Sequence, residues 1–144
     1  HYIRSAIQGL SARGVRTIRC ASIYLTEPRD ILDQPWFLNT VLEASTSLDP
    51  DQLLRACLEV EEENLRKRDL SKGPRTLDID IIFFGREIIR MNNLEIPHPR
   101  FSKRRFVLEP LAEIAPEFLD PASGKTILQL LKEVSDPAQV ERLR

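Results

Sequence analysis

A chain of 144 residues is long enough for one domain with its own core, and 21 basic against 22 acidic side chains leave a net charge of −1. That balance excludes a bulk nucleic-acid binder, which carries a basic excess, but leaves room for a local cationic pocket around a small anion. No apolar run approaches a membrane span and no stretch has the make-up of a signal peptide, so the expectation is a soluble, cytoplasmic domain. Cys20 and Cys57 lie far apart in apolar surroundings without metal-ligand spacing, and read as buried free thiols of a reducing compartment.

In chain order, apolar residues at positions 3, 6, 7 and 10 predict a helix over Tyr2 to Ala12, closed by Gly14. Val15 to Tyr24 is rich in β-branched residues and reads as a strand. A proline-broken polar loop follows, and Phe37 to Ser45 reads as a second strand. Asp49-Pro50-Asp51-Gln52 is a helix start, with Asp as cap, Pro in the first turn and Gln three residues on. That helix runs to about Asn64 and carries Leu53, Leu54, Cys57, Leu58 and Val60 inward. Glu61 shares the face of Leu53 and Cys57, a poor place for a charge without a partner. A strand is expected over Leu77–Phe84 and a short one around Ile88–Arg90. Leu94 to Pro99 is held extended by its prolines. Short helical pieces surround Pro110, and a last amphipathic helix spans 126–134. This order gives an α+β fold, a sheet with helices packed on it.

The chemistry gathers at Gly73-Pro74-Arg75-Thr76-Leu77-Asp78-Ile79-Asp80. On a strand, Ile79, Ile81 and Phe83 share one face, so Asp78 and Asp80 share the other. Two carboxylates about 7 Å apart along a strand can converge on divalent ions. An exposed edge strand would carry the same pattern without function. Upstream lies the basic run Arg66-Lys67-Arg68, and downstream Lys103-Arg104-Arg105. Such runs often form only a solvated face, but beside metal-binding carboxylates their forked guanidinium groups suit a polyphosphate. His98, between two prolines, is a candidate phosphate donor or a structural histidine. Phe37 and Asn39 alternate on their strand, a pattern a core aromatic with a satisfied polar neighbour also produces. No Walker A loop, zinc pattern or Ser-His-Asp arrangement is present in the sequence.

Together, Gly73 to Asp80, Tyr24-Leu25-Thr26, Phe37-Leu38-Asn39, Ile96-Pro97-His98-Pro99, Arg104 to Leu108 and Leu111 to Pro116 closely resemble the 6-hydroxymethyl-7,8-dihydropterin pyrophosphokinases of folate biosynthesis. The resemblance covers most of residues 1–131. It implies a ferredoxin-like antiparallel sheet with helices on its faces, one domain over residues 1–144, and transfer of pyrophosphate from ATP to the pterin hydroxymethyl group with release of AMP. It further implies that Asp78 and Asp80 hold two Mg2+ ions, and that Arg66 and Arg68 belong to a loop closing over the triphosphate. Arg75, His98 and Arg104 would contact phosphate oxygens, Ile81 and Leu94 would lie near the adenine, and Glu61 would meet a loop arginine or an ATP-site group. Phe37 and Phe106 would sandwich the pterin, with Asn39 and the Thr26–Pro28 region on its polar edge. The family pattern has an apolar strand and a Gly-Ser-Asn turn ahead of the first helix, which sets the expectation of an N-terminally incomplete domain. The loop between Arg68 and Gly73 is one residue shorter than the pattern, and Glu27 and Arg29 replace less charged residues in the pterin-side loop. Expected partners are the two small substrates, with no nucleic acid or membrane, in a monomer. The alternatives are another Mg-dependent nucleotidyl or phosphoryl transferase, or an inactive nucleotide-binding fragment.

Overall fold

The computed structural model describes residues 2–27, 37–67 and 77–143, leaving out the side chains of residues 66 and 67. Helix α1 (Tyr2–Ala12) stops where Gly14 takes φ +84°, a conformation that side chains resist. Strand β1 (Val15–Cys20) pairs antiparallel with β4 (Leu42–Thr46), Val15 opposite Thr46 and Cys20 opposite Leu42. Strand β2 (Tyr24–Thr26) lies between β3 (Phe37–Asn39) and β7 (Val140–Arg142), antiparallel to both. A hairpin joins β5 (Ile89–Met91) to β6 (Leu94–Ile96). Helix α2 spans Pro50–Lys67, a short 3₁₀ turn spans Phe101–Lys103, and α3 (Arg105–Ile114) and α4 (Ile127–Glu133) complete an α+β architecture. Among the described residues no helix is long and apolar enough to cross a membrane.

The expected start of α2 is present in full. The Asp49 carboxylate accepts the Gln52 N–H at 2.8 Å, and the Gln52 side chain accepts the Asp49 N–H at 3.0 Å. Helix α2 runs one turn beyond Asn64, and Leu58 faces solvent rather than the core. Cys57 is buried as expected, but Cys20 is exposed.

Both long strands expected near the N-terminus are divided. The Thr40 hydroxyl bonds to the carbonyls of Ala21 and Ser22 at 3.0 and 2.9 Å, and Ser22 gives its N–H to Glu113. Side chains thus take the backbone groups that a continuous ladder would use, and the chain passes from the β1–β4 pair to the β2–β3 pair.

Among the described residues the expected strand over Leu77–Phe84 finds no ladder partner. Its alternation nevertheless persists from 77 to 80, with Leu77 and Ile79 half-buried and Asp78 and Asp80 exposed. Leu77, Ile79 and Ile81 pack on a first core of Ala6, Leu10, Val15, Cys57 and Val60, contributed by α1, β1 and α2. Gly9 allows the close approach of α1, since a Cβ there would lie 3.1 Å from Val60. Ile82 and Phe83 turn to a second core of Phe101, Leu108, Leu111, Ile127 and Leu130. Phe83 therefore does not share the face of Ile79 and Ile81. Its ring meets Phe101 edge-on at 4.9 Å and Phe118 at 4.7 Å, so aromatic packing in the second core overrides the period of two. Ile127 is fully buried there, and burial of that size contributes roughly 1.5–3 kcal/mol.

Candidate active site

The acid-bearing segment is fixed from two sides. From α2, Glu61 accepts the N–H of Ile79, the residue between the two aspartates, at 2.6 Å. From the loop after β6, the His98 N–H donates to the Ile82 carbonyl at 3.0 Å. Glu61 thus has a partner on its apolar helix face in the backbone of the acidic segment. Half-burial pulls the His98 imidazole below its ordinary value, against an upward pull from the Asp80 carboxylate. Burial likewise pushes the Cys57 thiol up to about 11, with Glu61 and Asp80 adding to the shift. Glu61, Cys57, Asp80 and His98 therefore form one electrostatic neighbourhood. His98 Nδ1 accepts the Arg100 N–H at 3.1 Å, which fixes the ring relative to its own turn.

No group of three metal-ligating side chains converges among the described residues. Two exposed carboxylates on one side of a short segment still suit Mg2+, which keeps several waters and takes one or two carboxylates together with phosphate oxygens.

The second half of the site is a polar network under aromatic rings. By register, positions 24, 26, 37 and 39 share one face of the β2–β3 pair. The buried Thr26 hydroxyl donates to Asn39 Oδ1 at 2.7 Å, and Asn39 Nδ2 donates to the Phe106 carbonyl at 2.7 Å. That carbonyl is available because Pro110, four residues on inside α3, has no N–H to give it. Phe37 is 54% exposed, Phe106 is half-buried, and the Arg104 guanidinium stands 5.5 Å from the Phe106 ring centroid. This exposed-aromatic and polar-edge arrangement is what a flat heteroaromatic ligand requires.

Glu113 of α3 ties the network to the fold. It accepts the Ser22 N–H at 3.0 Å, the Ser22 hydroxyl at 2.9 Å and the Tyr24 hydroxyl at 2.7 Å, with Arg142 at 3.4 Å. Burial first, then the hydrogen bond to Glu113, pushes the Tyr24 phenol up to about 12. Burial pulls the Glu113 carboxyl upward, but the Tyr24 and Ser22 hydrogen bonds outweigh it and the net shift is down. Sequence reasoning gave Glu113 no role. Its signal was a lone acid within a stripe of apolar residues, the same signal that singled out Glu61.

Of the other expected site residues, Ile81 packs half-buried on the first core and Leu94 is only 9% exposed. Pro28, Arg68, Arg75 and the side chain of Arg66 lie outside the described residues. The open groove beside α1 and α2 belongs to none of this. It is lined by Arg13 and by Glu59 and Glu63, which pair with that arginine and lock the two helices together.

Comparison with known proteins points to one family. The family model for 7,8-dihydro-6-hydroxymethylpterin-pyrophosphokinase matches residues 1–116. A folic acid synthesis protein, fol1, of Pneumocystis carinii is 38% identical over 94% of this chain and 18% of its own length. The 2-amino-4-hydroxy-6-hydroxymethyldihydropteridine pyrophosphokinase of Synechocystis is 44% identical over 84% of this chain and 62% of its own length. The Bacillus subtilis protein of the same name is 45% identical over 78% of this chain and 68% of its own length. The match thus spans less than two thirds of the length of the first two relatives.

Proposed function

We propose, from the premise that this chain belongs to the 7,8-dihydro-6-hydroxymethylpterin-pyrophosphokinase family, that it transfers pyrophosphate from ATP to the hydroxymethyl group of 6-hydroxymethyl-7,8-dihydropterin and releases AMP. The observation that carries the reading is the pair of exposed carboxylates, Asp78 and Asp80, flanking a backbone amide anchored on Glu61.

In this reading Phe37 and Phe106 hold the pterin by its faces, while Thr26, Asn39 and the chain leading to Pro28 meet its polar edge. Asp78 and Asp80 would hold two Mg2+ ions, whose charge offsets that of the triphosphate and draws electron density from the attacked phosphorus. Arg66, Arg68, Arg75, His98 and Arg104 grip phosphate oxygens, with the adenine near Ile81 and Leu94. The substrate hydroxyl oxygen attacks the β-phosphorus in line, the bond to the α-phosphate oxygen breaks, AMP leaves and the hydroxyl proton passes to solvent or to Asp80. Such chemistry needs alignment and charge stabilisation more than a strong base. With Nδ1 accepting the Arg100 N–H, His98 has its Nε2–H left to donate in this role. The fold in this reading is ferredoxin-like, and residues 1–144 work as one monomeric, cytoplasmic pterin pyrophosphokinase domain.

The test is product analysis with Mg2+, ATP and the reduced pterin. Formation of AMP that depends on the pterin supports the reading; ADP or free pyrophosphate as product sinks it.

A further inference from the structure

We infer that residues 134–143, which lie beyond the stretch matched by the family model, form a strap whose Asp136 positions the start of α3 and, with it, Arg104 and Phe106 for the pterin. The inference rests on the pyrophosphokinase reading of those two residues.

Helix α3 has no cap of its own. A helix start is normally closed by Ser, Thr, Asp or Asn, whose side chain accepts a first-turn N–H. Here the cap position holds Arg104, which makes no side-chain capping bond and has no acceptor to offer. The acceptor comes from far along the chain. Asp136 Oδ2 takes the Arg105 N–H at 3.1 Å, and the Asp136 carbonyl accepts from Arg105 Nε at 3.3 Å. Its other carboxylate oxygen takes the Ala138 N–H at 3.0 Å, so this buried aspartate is held on both sides. A carboxylate at a helix N-terminus is also favoured by the helix dipole. Supplying the cap from outside leaves position 104 to a cation, which here stands over the Phe106 ring.

Beyond Asp136 the strap crosses to the other wall of the same site. The Gln139 N–H donates to the Glu27 carboxylate at 2.6 Å, and the Glu27 N–H donates to the Gln139 carbonyl at 3.1 Å. Strand β7 then pairs along β2, with Val140 opposite Thr26, and Arg142 reaches Ser22 and Glu113. One segment therefore fastens the helix bearing Phe106 at one end and the strand bearing Thr26 at the other. Asp136 holds the backbone of Arg105 and Ala138 and acts through them; it is a positioning residue.

The test measures binding of 6-hydroxymethylpterin by its fluorescence, in the presence of Mg2+ and a non-hydrolysable ATP analogue, to the full chain and three variants. Asp136→Ala is expected to weaken pterin binding about tenfold, on the scale of a lost cap. Asp136→Asn is expected to fall between it and the unchanged chain, since one oxygen still accepts. The control is Asp120→Ala. Asp120 is also buried and bonds to Ala122 and Ser123 in the α3–α4 connection, so its loss lowers the melting point but is expected to change pterin affinity less than twofold. Unchanged pterin affinity in Asp136→Ala, or an equal loss in Asp120→Ala, overturns the inference. If Asp136→Ala does not fold, Asp136→Asn against Asp120→Ala decides in the same way. Amide exchange at Arg105 without ligand reads the cap directly: it is expected to speed up in the Asp136 variants, and no change overturns the cap. An unchanged chain that binds no pterin sinks the functional reading instead, and Arg105 exchange still judges the cap.

Discussion

Asp78 and Asp80 stand on a segment held by packing of Leu77, Ile79 and Ile81 beneath and by Glu61 and His98 at its polar groups. Across the site, Thr26, Asn39 and the Phe106 carbonyl are joined in a chain of short hydrogen bonds, and Glu113 and Asp136 fasten that chain to the rest of the fold. The first region presents charge to water and spends little stability on it. The second buries polar groups, each of which needs its partner. Substitutions in the first should cost chemistry and leave the fold intact, whereas in the second they should cost both.

The largest effect belongs to the acids. Asp78→Ala and Asp80→Ala are each expected to lower the rate of AMP formation by more than about a hundredfold, the scale of a lost electrostatic element. As an exposed position Asp80 should shift stability by no more than about 0.5 kcal/mol. Retained activity in either would remove the metal assignment. Next comes Asn39→Ala, expected to destabilise the fold by about 1–3 kcal/mol because it strands the Phe106 carbonyl, as read by denaturant midpoint. A midpoint like that of the unchanged chain would show that the two regions are not built differently. Glu61→Ala sits between the regions. It is expected to slow turnover about tenfold and to speed amide exchange at Ile79, since one hydrogen bond is lost, while Glu61→Gln keeps an acceptor and restores most of both.

The smallest effects are pH-dependent and belong to the second region. Tyr24, held up to about 12 against an ordinary 10.0, contributes stability that is present below pH 10 and lost as pH rises towards 12. Glu113, held below its ordinary 4.5, contributes stability present above that value and lost as pH falls through the lowered one. Melting points across pH should show an alkaline decline that Tyr24→Phe reduces and an acid decline that Glu113→Gln reduces. Identical profiles in the variants would remove the network's part in stability.

What could be read from the sequence follows from range. Helix α1 with its glycine stop, and the start of α2 at Asp49 and Gln52, depend on neighbours within four residues, and both are found where the sequence puts them. The alternation that turns Asp78 and Asp80 outward is also local, and it holds without the expected ladder. What failed depends on distant chain. Strand breaks at Ala21–Ile23 and Thr40–Val41 are decided by Thr40 and by Glu113, and the turning of Phe83 by Phe101 and Phe118. For the site, the exposed charged and aromatic residues carried motif signals. Their supports, Glu113 and Asp136, carried none beyond an acid in apolar company.

Pro110 removes a donor from the middle of α3, and the carbonyl this releases is what Asn39 holds. Positions 39 and 110 are therefore linked through one backbone carbonyl. A mutation that restores an N–H at 110 gives the helix a rival claim on that carbonyl, and leaves Asn39 only the Thr26 hydroxyl as an undisputed partner. Descendants of this chain should alter these two positions together or leave both alone.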